Sequence, residues 1–131
     1  MTSSSMIATH PATPAWDPGR LSAAIDALGA CAQACTTCAD ACLSEDMVAD
    51  LRRCIRTDLD CADICAATAS VLSRVGESDL ATAQALLEAC ITACEACGDE
   101  CASHAEMHEH CKVCAEACRT CAQACRELLA A

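Results

Sequence analysis

Cysteine and aliphatic residues recur along this chain at steps of three and four residues. The cysteines follow steps of 4, 3 and 4 from Cys31 and again from Cys90, steps of 3, 4, 3 and 4 from Cys111, and sparser steps of 7 and 4 from Cys54. Steps of three and four place side chains on one face of an α-helix, whereas a strand would need a period of two. The pattern therefore predicts four helices, over about 18–43, 46–75, 79–104 and 107–129.

Capping and turn residues indicate where these helices begin and end. Asp17 followed by proline is a helix start, because an Asp N-cap accepts a backbone N–H and proline suits the first helical position. Residues 44–46 form a turn, Gly76 ends the second helix and Ser78-Asp79 caps the third. Neither Gly nor Pro separates the third helix from the fourth, so the segment SHAEMHEH (103–110) is also compatible with a continuous helix.

Four helices joined by short turns predict an all-α fold, an antiparallel up-down-up-down four-helix bundle with a Cys-lined core. The bundle is predicted over residues 18–131, after a polar N-terminal lead (1–17) in which Pro11 and Pro14 disfavour a regular helix. An internal repeat supports the helical assignment. CAQACTTCADAC (31–42) and CAEACRTCAQAC (114–125) agree at 9 of 12 positions, including the alanines between the cysteines.

Composition limits the possible compartments and partners. Acidic residues outnumber basic ones 19 to 8, giving a net charge of −11 that disfavours nucleic acid and anionic membrane surfaces. No stretch approaches the roughly 20 apolar residues of a membrane span. The 16 cysteines would indicate a disulfide scaffold in a secreted protein, but MTSSSMIATHPATPAW lacks the basic and apolar regions of a signal peptide. We therefore expect a cytoplasmic protein with reduced or metal-bound thiols.

Aligning antiparallel helices predicts a molecule with two different ends. The aliphatic end collects Leu21, Ile25, Leu28, Val71, Leu72, Leu86, Leu87, Leu128 and Leu129. The opposite end, which we call the His/Met end, collects Met47, His104, Met107, His108 and His110 beside Cys42, Cys54, Cys101 and Cys111. His104 and His108 continue the inward face beyond Cys101, and His110 is expected at the rim. His10, in the lead, is not expected to take part, and Trp16 is expected to anchor the lead onto the bundle.

Sixteen thiols facing the interior predict a metal-binding core with many ligands. The candidate ligands are Cys31, Cys35, Cys38, Cys42, Cys54, Cys61, Cys65, Cys90, Cys94, Cys97, Cys101, Cys111, Cys114, Cys118, Cys121, Cys125, His104, His108 and His110. Asp58 stands where the second helix would accept a further thiol, and it either offers a carboxylate oxygen or faces the rim.

Softness, geometry and charge favour multiple Cu(I) ions as the bound metal. Thiolate selects Cu(I), Zn(II) or iron–sulfur clusters, and thioether narrows the choice toward Cu(I). Seven C-x3-C pairs offer two-point bridges along a helix, which suit the two or three ligands of Cu(I). Exchanging each thiol proton for Cu(I) leaves the core neutral, whereas four thiolates on Zn(II) bury a charge of −2. The loop motifs of iron–sulfur proteins are missing from the sequence.

The C-x3-C pairs on each helix, the CAEACRTCAQAC stretch and the MHEHC segment (107–111) resemble the cytosolic copper storage proteins over about residues 18–129. The resemblance implies a four-helix bundle that stores many Cu(I) ions, takes them up through the His/Met end and assembles as a homotetramer. The cysteine-poor second helix departs from that pattern and leaves the capacity open.

Other functions remain possible at this point. A thiol-based redox enzyme is disfavoured because reactive thiols need basic neighbours, which are few here. A structural zinc-binding or disulfide-stapled bundle is the remaining alternative. We expect a binding protein rather than an enzyme, with copper ions as its ligand and a copper chaperone as a candidate partner.

Overall fold

Helices make up the regular structure of residues 2–130, which are the residues that the computed structural model describes. The elements are α1 (Thr2–Ala8), α2 (Pro18–Leu43), a 3₁₀ helix (Val48–Leu51), α3 (Arg52–Ser73), α4 (Leu80–Ser103) and α5 (Glu109–Ala130). Met1 and Ala131, which the predicted lead and bundle include, lie outside the described residues.

Local side-chain bonds explain the starts of two long helices. The Asp17 carboxylate accepts the Arg20 backbone N–H at 2.9 Å, and the Asp79 carboxylate accepts that of Thr82 at 3.1 Å. Each bond satisfies a backbone donor that has no partner within the helix. Helix α3 is shorter than predicted, because its first turn is the 3₁₀ helix and its last residue is Ser73.

The predicted break between the last two helices is confirmed. Helix α4 ends at Ser103, and the backbone N–H of His104 turns back to the Cys101 carbonyl at 3.0 Å. Helix α5 then begins at Glu109. Residues 104–108 form the connecting turn, so the three histidines do not continue a single helical face.

The four long helices enclose one core. Sulfur contacts pair α2 with α5 through Cys31–Cys118, Cys35–Cys114 and Cys38–Cys111, at 3.9, 3.7 and 3.8 Å. Residue numbers rise along α2 as they fall along α5, as expected of antiparallel neighbours. A Cβ added at Gly98 of α4 would lie 3.4 Å from the Cys118 Cβ, in ordinary van der Waals contact, so α4 and α5 pack closely at this point.

The aliphatic end is closed by buried leucines. Leu21, Leu28, Leu87 and Leu128 have no exposed surface, and Leu72 is 3% exposed. Burying each such side chain contributes about 1.5–3 kcal/mol. Leu86 is only partly buried and lies outside this core. The metal-free bundle therefore has a conventional hydrophobic core at one end.

Helix α1 corrects the expectation that residues 1–17 are irregular. Residues Thr2–Ala8 are helical, the Ile7 side chain is buried at 6% exposure, and the Ser3 hydroxyl donates to Asp26 of α2 at 2.6 Å. Pro11 and Pro14 lie after this helix and do not interrupt it. A helix of seven residues is too short to show a hydrophobic period in the sequence. Packing of the Ile7 side chain against the bundle stabilises it.

Helix α4 is, by length and composition alone, the one helix among residues 2–130 that could span a membrane. The expectation that no stretch approaches the length and hydrophobicity of a membrane span was therefore too strict. Its four cysteines nevertheless face the interior of the bundle and are at most 1% exposed, as in the core helix of a folded domain.

Candidate metal centre

All sixteen cysteines lie in the core as free thiols, each at most 2% exposed. Neighbouring Sγ atoms are in van der Waals contact; Cys65 and Cys90 are 3.5 Å apart, and Cys31 and Cys94 are 4.0 Å apart. A disulfide would need about 2.05 Å. The core is therefore a continuous array of thiols within reach of one another.

The thiols form overlapping groups along the bundle axis. In each group the ligand atoms lie within 4.8 Å of one another. From the aliphatic end to the His/Met end, five of these groups are 31/65/94/121, 31/35/61/118, 35/97/114/118, 38/54/58/101 and 38/42/54/111. The first three groups share members in turn, as do the last two, and the Cys97–Cys101 sulfur contact of 3.9 Å joins the two sets, so an ion bound in one group lies next to sites for further ions.

The spacing of the thiols suits three- or four-coordinate ions without large movement. Within α2, α3 and α4, pairs four residues apart have sulfur separations of 3.9 Å (Cys31–Cys35), 3.8 Å (Cys61–Cys65) and 3.9 Å (Cys90–Cys94). With metal–sulfur bonds of about 2.3 Å, two ligands lie about 3.8 Å apart at a tetrahedral angle and about 4.0 Å apart at a trigonal angle. A linear site would need about 4.6 Å. Spacing alone therefore admits Zn(II) as well as three-coordinate Cu(I).

The inward face of α3 carries only three cysteines, but buried side chains also occupy the positions between and beyond them. Asp58 and Thr68 are both fully buried and fill the steps between Cys54 and Leu72. The Thr68 hydroxyl donates to the Ile64 carbonyl at 2.7 Å, which satisfies its donor within the helix. Asp58 instead contacts the thiols, so the alternative in which it faces the rim is wrong.

Asp58 accepts hydrogen bonds from three thiols on two neighbouring helices, α4 and α5. Its Oδ1 lies 3.0 Å from Cys97 Sγ and 3.3 Å from both Cys101 and Cys114 Sγ. Burial raises the pKa of Asp58 to about 12. The metal-free core therefore holds a neutral carboxylic acid that could supply an oxygen ligand on losing its proton.

One carboxylate joins two histidines at the His/Met end. Glu45, in the turn after α2, places Oε2 at 2.9 Å from His108 Nδ1 and 2.9 Å from His110 Nε2. The two imidazole rings stack with centroids 5.5 Å apart. His110 Nδ1 then lies 3.4 Å from Cys38 Sγ and 3.6 Å from Cys111 Sγ, so this imidazole connects the surface carboxylate to the outermost thiols.

The third histidine of this end belongs to a separate ion-pair network. His104 Nε2 lies 2.8 Å from Glu100, whose other oxygen pairs with Arg53 at 3.1 Å. The methionines of the His/Met end turn outward, with Met107 68% and Met47 37% exposed. The structure therefore brings His110 into thiol contact, holds His108 beside it, and leaves both thioethers at the surface.

The electrostatics of this end follow from these contacts. The hydrogen bond from His110 lowers the pKa of Glu45, so its carboxylate is ionised. Burial acts to lower the pKa of His110, but hydrogen bonds with Cys38 and Glu45 outweigh it and raise that pKa. Burial raises the pKa of the Cys42 and Cys111 thiols, which stay protonated without metal.

Sequence reasoning missed Glu45, Glu100 and Thr68. Thr68 could have been found, because it continues the three- and four-residue steps from Cys65 to Leu72. The two glutamates carry no such signal. They are two of 19 acidic residues, and only the geometry of the turns brings them to the histidines.

Comparison with known proteins links this core to copper. The sequence model of a family described as copper storage protein (Csp) matches residues 18–130. The copper storage protein Ccsp of Streptomyces lividans, in a structure loaded with 10 copper equivalents, is 59% identical with a TM-score of 0.94 over 97% of each chain. The Cu(I)-bound copper storage protein BsCsp3 is 38% identical with a TM-score of 0.74, over 83% of this chain and 97% of its own.

A curated relative matches over a shorter region. The cysteine-rich protein YhjQ of Bacillus subtilis (strain 168) is 41% identical over 95 residues, which are 72% of this chain and 82% of that protein.

Proposed function

Because this chain belongs to the copper storage protein family, we propose that its sixteen buried thiols are the ligands with which it stores many Cu(I) ions. The observation that carries this assignment is the series of overlapping ligand groups, each within 4.8 Å, that fills the bundle. Shared ligands allow a dense array of ions in which each thiolate bridges neighbouring sites. The group 38/54/58/101 adds the Asp58 carboxylate to this array.

Charge supports Cu(I) over Zn(II) as the stored ion. When a thiol loses its proton to solvent and its sulfur binds one Cu(I), the net charge of the core is unchanged. Four thiolates around one Zn(II) leave −2, and among residues 2–130 no Lys or Arg is buried in the core to offset it. A buried uncompensated charge costs several kcal/mol. Near one-to-one loading with Cu(I) avoids that cost.

We also propose that Cu(I) is taken up at the His/Met end. The opposite end is closed by fully buried leucines. Imidazole is a ligand for copper, and the contact of His110 Nδ1 with Cys38 and Cys111 Sγ supplies a path from the surface to the first thiols. His104 and His108 would provide the neighbouring binding groups on this path.

An anaerobic titration of the reduced, metal-free protein tests the storage assignment. Storage predicts saturation near one Cu(I) per thiol and binding that resists a competing chelator. Saturation at about four Zn(II), with little further uptake of Cu(I), would instead indicate a structural zinc bundle.

Histidine variants test the uptake route. Replacing His104 and His108 by Asn should slow Cu(I) transfer from a chelator more than it lowers the number of ions bound. The matched control is His10→Asn, since His10 lies beside the Gly76 loop at the other end. Equal rates in all variants would contradict uptake at the His/Met end.

The cellular setting follows by analogy. The S. lividans relative is a cytosolic copper storage protein, and we propose the same compartment here, with Cu(I) delivered by a copper-carrying chaperone and storage in place of catalysis. The homotetramer implied by the family resemblance is a proposal that light scattering of the metal-free and copper-loaded protein would test.

A further inference from the structure

A single carboxylate oxygen holds two of the proposed copper-binding imidazoles. Glu45 lies in the turn between α2 and the 3₁₀ helix, while His108 and His110 flank the start of α5. Its Oε2 is 2.9 Å from a different nitrogen on each ring, Nδ1 of His108 and Nε2 of His110. The contact therefore joins two separate turns across the His/Met end.

The identity of the contacted nitrogens decides what each ring can offer to a metal. An ionised carboxylate only accepts hydrogen bonds, so His110 Nε2, which hydrogen-bonds to Glu45, must donate, and the 2.9 Å contact of His108 Nδ1 with the same oxygen favours a proton on that nitrogen too. A neutral imidazole with one nitrogen donating keeps a lone pair on the other. His108 is thereby left with Nε2 as its free lone pair, and His110 with Nδ1, the atom that lies 3.4 Å from Cys38 Sγ.

We infer that Glu45 is a positioning residue for copper uptake, which fixes the tautomer and ring orientation of His108 and His110 so that both present a lone pair toward incoming Cu(I). This inference rests on the proposed uptake at the His/Met end. A carboxylate behind a metal-binding imidazole commonly has this role, and its loss costs about 10- to 100-fold in affinity or activity. Within residues 2–130, the hydrogen bond and ion pairs of Glu45 go to the imidazoles and not to a thiol.

The adjacent residue provides a control for simple attraction of cations. Asp46 is exposed and carries the same charge, yet among residues 2–130 the structure shows no ion pair for it. If Cu(I) uptake depended only on the general attraction of cations to negative charge, removing either carboxylate would slow uptake by a similar amount. A positioning effect requires Glu45 alone, because only Glu45 contacts the rings.

The first experiment compares Glu45→Gln, Glu45→Asp and Asp46→Asn with the unmodified full chain, all reduced and metal-free. Stopped-flow transfer of Cu(I) from a bicinchoninate complex should slow about 10-fold or more in Glu45→Gln. Glu45→Asp should recover part of that loss, and Asp46→Asn should change the rate less than twofold. The number of Cu(I) ions bound at saturation should be the same in all four proteins.

The second experiment reads the tautomers directly. Nitrogen-15 NMR of the histidine rings should show His108 protonated at Nδ1 and His110 at Nε2 in the unmodified protein, and mixed tautomers in Glu45→Gln. A merely structural role for Glu45 would not change these populations. Identical tautomers in the two proteins, or equal slowing by Glu45→Gln and Asp46→Asn, would overturn the inference.

Histidine variants separate the failure of this inference from failure of the proposed function. If His108→Asn and His110→Asn slow transfer while Glu45→Gln does not, uptake at this end stands and the positioning role is wrong. If neither the histidine variants nor Glu45→Gln changes the rate, both the uptake route and the positioning role are wrong.

Discussion

Asp58 Oδ1 accepts a hydrogen bond from the Cys97 thiol at 3.0 Å in the middle of the core. The Asp58 side chain is fully buried, and among residues 2–130 no Lys, Arg or His forms an ion pair with it. A carboxyl group in this setting is neutral, because ionising it would bury an uncompensated charge. Asp58 therefore keeps its proton in the metal-free protein, and that proton is available for exchange when metal binds.

The first prediction concerns the pH dependence of the metal-free protein. The pKa of Asp58 is raised to about 12 on folding, so between about pH 4 and 12 the folded state binds one proton more than the unfolded state. The free energy of unfolding should then fall as pH rises, by up to about 1.4 kcal/mol per pH unit from this group. Asp58→Asn removes the contribution while keeping the side-chain shape.

Urea unfolding of both reduced proteins at pH 5 and pH 7 checks this prediction. The stability of Asp58→Asn relative to the unmodified protein should be greater at pH 7 than at pH 5, by up to about 2.7 kcal/mol. Comparing the two proteins cancels the titration of the other groups. Equal differences at both pH values would mean that Asp58 is ionised in the fold.

The interior face of each long helix could be predicted from the sequence because cysteine marks it at every third or fourth residue. The same steps lead to Asp58 and Thr68, which are polar residues at core positions of α3. The break at residues 104–108 changes where the histidine side chains lie. A continued helix would have placed His104 and His108 together on the inward face, whereas the turn brings His110 to Cys38 and leaves His104 with Glu100.

Contacts between turns could not be predicted in this way. Glu45 reaches His108 and His110 across 63 and 65 residues of sequence, and no periodicity relates residues in different loops. Helix α1 was missed for a related reason, since its seven residues bury only Ile7. In both cases tertiary packing, rather than local pattern, determines the structure.

The second prediction tests the packing of α1 on the bundle. Ile7→Ala removes the one buried side chain of this helix and should destabilise the protein by about 2 kcal/mol. The loss should lie at the low end of the usual range because a terminal helix can detach instead of leaving a cavity. Met6→Ala is the matched control, since Met6 is 64% exposed.

Thermal unfolding and hydrogen exchange together measure this effect. Ile7→Ala should lower the Tm and expose the amides of residues 2–8 to rapid exchange, while copper capacity is unchanged. If Ile7→Ala and Met6→Ala behave alike in both measurements, α1 does not dock as the structure shows.

The third prediction concerns the leucines of the aliphatic end. Leu87 has no exposed surface, and Leu87→Ala should cost the metal-free protein about 2–5 kcal/mol by lost burial and cavity formation. Leu80→Ala, at a position 45% exposed, should cost much less. Chemical denaturation of both variants measures the difference. An equally small effect of the two substitutions would show that stability without metal does not come from this end.

The last prediction uses the sharing of ligands between groups. Cys31 belongs to two four-thiol groups, and its Sγ lies 3.9, 3.8, 4.0 and 3.9 Å from those of Cys35, Cys61, Cys94 and Cys118. Removing a thiol that bridges two soft-metal sites leaves both short of a ligand, so Cys31→Ala should lower the saturating Cu(I) number by about two. Cys125 lies one turn from Leu128 at the aliphatic end, where the row of thiols stops, and we therefore expect it to bridge fewer sites. Cys125→Ala should therefore remove about one ion or none.

Anaerobic titration with Cu(I) against a competing chelator gives both numbers, and circular dichroism of the metal-free variants establishes that each remains helical. Both substitutions remove one buried sulfur and leave a similar small cavity, so differences in capacity report position rather than composition. A loss of one ion in each variant would mean that every thiol contributes independently. The larger loss at Cys31 would instead show that the overlapping groups seen in the metal-free core are the sites that copper occupies.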